Sequence, residues 1–283
     1  MEARSYRSYA GDSTIALTFS KFAPRLIESL DQFVEFIGDR QPEILSTLKM
    51  LLLKLTRAAT VEDLPARDPA ICEQLLACSC GASQFPDLLE AHYDLLRGLL
   101  GIDESSWVNG ERIELSQGRF IRARFLPNYL KLKALAEAIG RDDAIELMKQ
   151  FLDETIALSP ARQDGPKCLA ELRERQIEFN LQEAGMDWIS AVVSEHQYLN
   201  KVTVCRIQKV LAEYDDNELM EVVACYPDFA MFRKTNEYFC LSRTQTLMNG
   251  GDYCDSCYHD ERFVAEFEHP SADVFTRLSE DDG

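Results

Sequence analysis

The sequence predicts an α+β fold, with a helix-rich N-terminal half and C-terminal helices packed on a small antiparallel sheet. Three observations lead there. Apolar residues recur at helical spacing through most of the first hundred positions. After Gly185 the texture changes to β-branched and alternating residues, in Trp188 to Val193 and Asn200 to Val204. Finally, Phe239 to Met248 and Tyr253 to His259 flank Asn249-Gly250-Gly251-Asp252, whose residues tolerate positive φ, so the stretch reads as a β-hairpin. Helices and strands that segregate along the chain, rather than alternate, pack as α+β.

Taken in order, residues 1–13 are polar and aperiodic and are expected to form a flexible tail. From Ile15 to Ile37, Leu26, Leu30, Phe33 and Ile37 keep helical spacing until Gly38-Asp39 ends it. Pro42 opens a second helix through Ile44, Leu48, Leu51, Leu52 and Leu55, with an apolar face wide enough to be buried on more than one side. Such faces predict packing on the C-terminal domain or on a second subunit of a homo-oligomer. Glu62 to Cys80 gives a shorter helical stretch, and Pro86 opens another through Leu88, Leu89, Tyr93, Leu96 and Leu100. Turn residues cluster over 101–119, which places a linker there, between a helical domain (14–118) and an α+β domain (119–270). Leu126 to Ile139 and Asp142 to Leu158 then predict a helical hairpin joined at Gly140, with Asp142 or Asp143 as cap. Pro160 to Pro166 breaks the pattern. Cys168 to Leu181 resumes it, and Glu171, Arg173, Glu174, Arg175 and Glu178 read as a solvated face. Gln197 to Asn200 is a turn, Cys205 to Tyr214 and Asn217 to Ala224 are helical, and residues 271–283 are expected to be a frayed acidic tail.

With 283 residues, 46% of them hydrophobic, the chain is long enough to bury a sizeable core. A formal charge of −18, from 48 acidic and 30 basic residues, repels phosphate backbones and anionic lipid, so neither nucleic acid nor membrane is an expected partner. The opening Met1-Glu2-Ala3-Arg4-Ser5 lacks the apolar core of a signal peptide, and a cytoplasmic protein is expected. There the nine cysteines stay reduced, and an odd number leaves one without a partner in any case. Cys78-x-Cys80 and Cys254-x-x-Cys257 with His259 look like parts of a metal site. The second pair, however, lies along a predicted strand, where residues three apart point to opposite faces. Gly250-Gly251 is followed by no Lys or helix start, and the four histidines show no paired ligand spacing. No metal and no cofactor are predicted.

The chemistry concentrates between Cys205 and His259. Cys225 and Asp228 stand three apart, on one face of a helix end. A carboxylate raises a thiol's pKa, so Cys225 needs a helix N-terminus or a cation such as Arg243 to become a thiolate. In an apolar setting Asp228 gains basicity; its simpler role is to cap the following turn. Arg243, on a predicted strand, either faces inward and holds a carboxylate with two parallel hydrogen bonds, or faces solvent, or pairs with Asp255. His259 and His196 are candidates for proton transfer.

In order, Cys205, Cys225-Tyr226-Pro227-Asp228, Arg243-Thr244 and Gly250-Gly251-Asp252-Tyr253-Cys254-Asp255 resemble the 2-amino-thiazoline-4-carboxylate hydrolase family, over roughly residues 120 to 260. Ser256 departs from it, standing where an aromatic residue usually follows Cys-Asp, and about a hundred residues precede the matching region. The resemblance implies a hydrolase of C–N or C–S bonds in a small carboxylate-bearing heterocycle or amidine-like substrate. On that reading Cys225, Asp228 and Cys254 are catalytic, and Arg243, Cys205, Asp255 and His259 contact the substrate. The alternative is a non-catalytic small-molecule-binding or scaffold module with a cysteine-lined cavity, similar to vinyl-reductase-like sensor domains.

Overall fold

The structure, a computed structural model, describes residues 2–11, 13–61, 64–77, 85–159, 165–183, 185–263 and 266–278. The chain divides into two units, one of residues 12–151 and one of residues 1–11 with 152–283. The boundary falls inside a helix rather than in the linker expected at 101–119.

The first unit holds α1 (Ala23–Arg40), α2 (Leu45–Ala59), α3 (Pro69–Leu76), α4 (Pro86–Leu100), α5 (Gln117–Ile139) and the larger part of α6 (Arg141–Leu158). Their ends follow local chemistry. Asp68 caps α3 by accepting from the Ala70 and Ile71 amides, Pro86 opens α4, and Gly101 closes it at φ 59°, a left-handed conformation that favours glycine. The helix expected from Ile15 begins only at Ala23. Before it, β2 (Thr14–Thr18) pairs antiparallel with β3 (Arg112–Ser116), and β3 lies in the supposed linker. Trp107, from the same stretch, is fully buried and meets Phe19 and Tyr93 edge-on. Turn residues at both ends of a five-residue strand disguised it as a connection. Cys78 and Cys80 lie outside the described residues.

The second unit is built on a five-stranded antiparallel sheet of order β1-β4-β5-β7-β6. These strands are β1 (Glu2–Arg7), β4 (Met186–Ser194), β5 (Gln197–Cys205), β6 (Phe239–Ser242) and β7 (Cys254–Asp260). Residues 2–7 are therefore an edge strand, not a tail: Ala3 is buried and Tyr6 stacks on Trp188 at 4.8 Å. A polar edge strand carries too little hydrophobic alternation to announce itself. The turn between β4 and β5 sits at Glu195-His196, and β5 already begins at Gln197. The predicted hairpin is present, but β6 stops at Ser242, leaving Arg243 to Tyr253 as a loop. Residues 272–277 form α11 (Ala272–Arg277), with Phe275 and Leu278 buried where fraying was expected.

Strand alternation gives this sheet two unlike faces. One carries Trp188, Tyr198, Val202, Tyr258 and Leu241 under α7 (Leu169–Glu183), whose Leu169, Leu172 and Ile177 pack against it. The other carries Ile189, Ala191, Leu199 and Cys257 under Phe275 and Leu278. Cys254 and Cys257 do fall on opposite faces. α8 (Arg206–Leu211), α9 (Asn217–Ala224) and α10 (Pro227–Thr235) connect β5 to β6. Among the described residues no helix is long and apolar enough to cross a membrane.

Candidate functional site

Five of the predicted site residues meet on the α7 side of the sheet. Cys205 ends β5 just before α8, Cys225 follows the last turn of α9, and Asp228 lies in the first turn of α10. Arg243 is the first residue beyond β6, and Cys254 the first of β7. Local contacts set these positions. Asp216 caps α9 by accepting from the Leu219 amide; Pro227, which lacks an amide hydrogen, is suited to the first turn of α10. The loop 243–253 is fastened to α9 by Thr246 Oγ1, which donates to Glu221 Oε1 and accepts from the Asn249 amide. Gly251 has no room for a side chain: a Cβ there would stand 2.9 Å from the Thr246 carbonyl oxygen.

Arg243 is the hub. Its Nη2 donates to Asp228 Oδ2 at 2.8 Å, its Nη1 to the Cys225 carbonyl at 3.3 Å and its Nε to Ser256 Oγ at 3.1 Å. Burial works against the guanidinium charge, but Asp228 more than restores it, and the pKa ends above its ordinary value. Arg243 therefore pairs with Asp228 and not with Asp255, because Ser242 and Arg243 sit on different sides of the sheet edge. Burial also pushes all three thiols up, Cys254 to about 11. For Cys205 the amides of Gln208 and Ile207 pull in the other direction, as does the Leu247 amide for Cys254. For Cys225 the Asp228 carboxylate adds to the rise and Arg243 opposes it. Each thiol is consequently protonated at neutral pH, and a base is needed to make any of them nucleophilic.

Asp255 and His259, grouped with substrate contacts in the sequence, are on the other face and buried. Asp255 Oδ1 accepts from the amides of Thr244 and Gln245, while Oδ2 accepts from the Thr244 hydroxyl and from His269 Nε2 at 3.0 Å. His269 Nδ1 lies 2.8 Å from Ser242 Oγ, which is also 2.9 Å from His259 Nε2. Burial, with His269 and His196 nearby, lowers His259 to about 4. The sequence of carboxylate, imidazole and hydroxyl is that of a proton relay. Here both imidazoles hold the same hydroxyl, and His269 and His259 stack on Phe275 and Phe267. The network thus ties the loop after β6, and the segment around His269, to β7.

Several contributors were missed in the sequence. Ser256, noted only as a departure, anchors Arg243. Ser242 and His269 carried no motif, since their pairing depends on a segment nine residues beyond the end of β7. Arg173, assigned to a solvated face, is buried, and its Nε donates to Ser190 Oγ at 3.2 Å; its neighbours Glu171, Glu174, Arg175 and Glu178 are exposed as expected. Among the described residues, no group of three or more His, Cys, Asp or Glu side chains is arranged to hold a metal ion.

Residues 118–258, just under half of the chain, match the family model of L-2-amino-thiazoline-4-carboxylic acid hydrolase. The match runs from the start of α5 into β7 and contains Cys205, Cys225, Asp228, Arg243 and Cys254. No curated protein and no solved structure matches the chain.

Proposed function

We propose, with that family match as premise, that the protein hydrolyses a C–N or C–S bond in a small carboxylate-bearing heterocycle or amidine-like compound. The observation that carries the reading is the convergence of three thiols on the Arg243–Asp228 ion pair. Asp228, whose side chain is 38% exposed, is open to a proton from outside; the Arg243 side chain, 9% exposed, is not. In the proposed step Asp228 takes the proton of Cys225 Sγ as the sulfur bonds to the amidine carbon. The electron pair of the C=N bond moves to nitrogen, beside the positive field of Arg243. Collapse then breaks a ring bond, and the leaving sulfur or nitrogen takes the proton back from Asp228. Water, deprotonated by Asp228, attacks the same carbon; the bond to Cys225 Sγ then breaks and the sulfur takes the proton from Asp228, which restores both groups. Cys254 and Cys205 are the other thiols within the field of the pair, and the same sequence of proton transfers is open to them.

The test is direct. Purified protein incubated with L-2-amino-thiazoline-4-carboxylate is expected to give a ring-opened product by chromatography, and Asp228→Asn about a hundredfold less. Folded protein that forms none would falsify the reading. A second reading, a non-catalytic module that binds a small molecule, draws on the protonated state of all three thiols. Alkylation separates the two: blocking the accessible thiols abolishes turnover in an enzyme of this kind but only changes ligand affinity in a binder.

A further inference from the structure

Beneath α7 the sheet carries a row of polar side chains where a core strand face would carry apolar ones. Ser190 on β4 stands opposite Asn200 on β5, and Asn200 opposite Ser256 on β7. All three are buried. The row lies between an apolar row of Tyr198, Tyr258 and Leu241 and another of Trp188, Val202 and Cys254. α7 places Arg173 and Gln176 over it: Arg173 bonds Ser190, and Gln176 reaches the Tyr258 hydroxyl. Among the described residues, five buried polar atoms on this face have no hydrogen-bond partner: Arg173 Nη2, Gln176 Oε1 and Asn200 Oδ1 at the row, and Trp188 Nε1 and Tyr198 Oη in the flanking rows. A buried polar atom without a partner is destabilising, most of all when it belongs to a charged group. Arg173 and Asn200 are more than nine-tenths buried, so bulk solvent does not relieve them.

We infer that this polar row is the binding site for the ionic and N–H-bearing part of the substrate. Arg173 takes a carboxylate, and Gln176 and Asn200 accept hydrogen bonds from an amino or amidine group. The unmet groups at the row fit that class: one cationic donor, whose other nitrogen Nη1 lies 3.6 Å from the exposed Glu174 carboxylate, and two neutral acceptors that call for N–H; the indole N–H of Trp188 and the Tyr198 hydroxyl flank them. Arg243, to which a substrate carboxylate was assigned from sequence, has its fork filled by Asp228, the Cys225 carbonyl and Ser256. Ser256 belongs both to the row and to the Arg243 hub, so a ligand seated under α7 borders the thiols. The inference rests on the proposed hydrolase reading for the identity of the ligand, while its binding contacts stand on the orphaned atoms.

Calorimetry with L-2-amino-thiazoline-4-carboxylate, and with 2-amino-thiazoline lacking the carboxylate, tests it in the Asp228→Asn background, where turnover is suppressed. Adding Arg173→Gln is expected to weaken the carboxylate ligand about 10- to 100-fold and to leave the carboxylate-free one unchanged. Adding Gln176→Leu is expected to weaken both about tenfold; because it also removes the bond to the Tyr258 hydroxyl, its affinities are read on protein whose melting curve shows it folded at the assay temperature. This second variant keeps the test decisive if Arg173→Gln does not fold. Equal losses for both ligands on Arg173→Gln, unchanged affinity in Gln176→Leu, or no binding before either substitution would overturn the inference. Turnover by the unsubstituted protein with a KM indifferent to Arg173→Gln would overturn it and leave the hydrolase reading standing. Arg173-dependent binding without turnover would do the reverse.

Discussion

The two members of the central ion pair are not equivalent, and their substitutions separate their roles. Asp228 is open at the rim, and an amide in its place still accepts from Arg243 Nη2. Asp228→Asn should therefore melt within about 1 kcal/mol of the unsubstituted protein, as expected of a pair half open to solvent, while losing most of its turnover. Arg243 is the buried partner, with donors to three acceptors. Arg243→Lys keeps the charge but one flexible ammonium cannot reach Asp228, the Cys225 carbonyl and Ser256 together, so a loss of about 1 to 3 kcal/mol is expected in chemical unfolding. Should both variants unfold alike, the pair would be no more than a surface contact.

Among the elements, β1 departs most from its sequence. Deleting residues 1–11 would strip an edge strand, remove Ala3 from the core shared with Ile189 and Phe275, and take away the Gly11 carbonyl that accepts from Arg206 Nε. The shortened chain is expected to unfold at lower temperature and to aggregate through the exposed edge of β4; light scattering during a thermal ramp would show it, and an unchanged ramp would place β1 outside the cooperative unit. Legibility followed the strength of the local signal. α4, α6 and α5 from Leu126 onward were readable from periodicity, Pro86 and Gly140, and the 239–259 hairpin from its flexible turn residues; the first turns of α5, from Gln117, were hidden in the expected linker. β1, β2 and β3 were not, because short strands with one or two buried residues look like turns or helix ends. In the site, Cys225, Asp228 and Arg243 could be singled out by residue type. What could not be read was which face each strand residue takes: Cys254 and Asp255 are adjacent, hence on opposite sides of the sheet, and a motif spelled along the strand joins groups that the pleat keeps apart.

For the whole molecule, buried histidines set the response to acid. His92 in the first unit accepts burial at the cost of its charge: burial, with Lys131 nearby, lowers it to about 4, and Nε2 lies 3.0 Å from the Leu26 carbonyl oxygen, for which it is the natural donor. His259 in the second unit is likewise lowered to about 4. For a group whose folded pKa lies below its unfolded value near 6.5, the unfolded chain binds more protons in between, so stability rises with pH. The contribution is fully present above pH 6.5 and drains away as the pH falls toward 4. For fully buried His92 this linkage is worth up to about 3 kcal/mol. The net charge of −18 acts the other way, since protonating carboxylates relieves repulsion, but that relief falls mostly below pH 5. Between pH 7 and 5 the histidines are expected to dominate and the melting temperature to fall. His92→Gln keeps a donor for Leu26 and cannot titrate, so the melting temperature should fall less between pH 7 and 5 than in the unsubstituted protein, the remaining slope coming from His259. An acid response as steep in His92→Gln as in the unsubstituted protein would move the cause to another group.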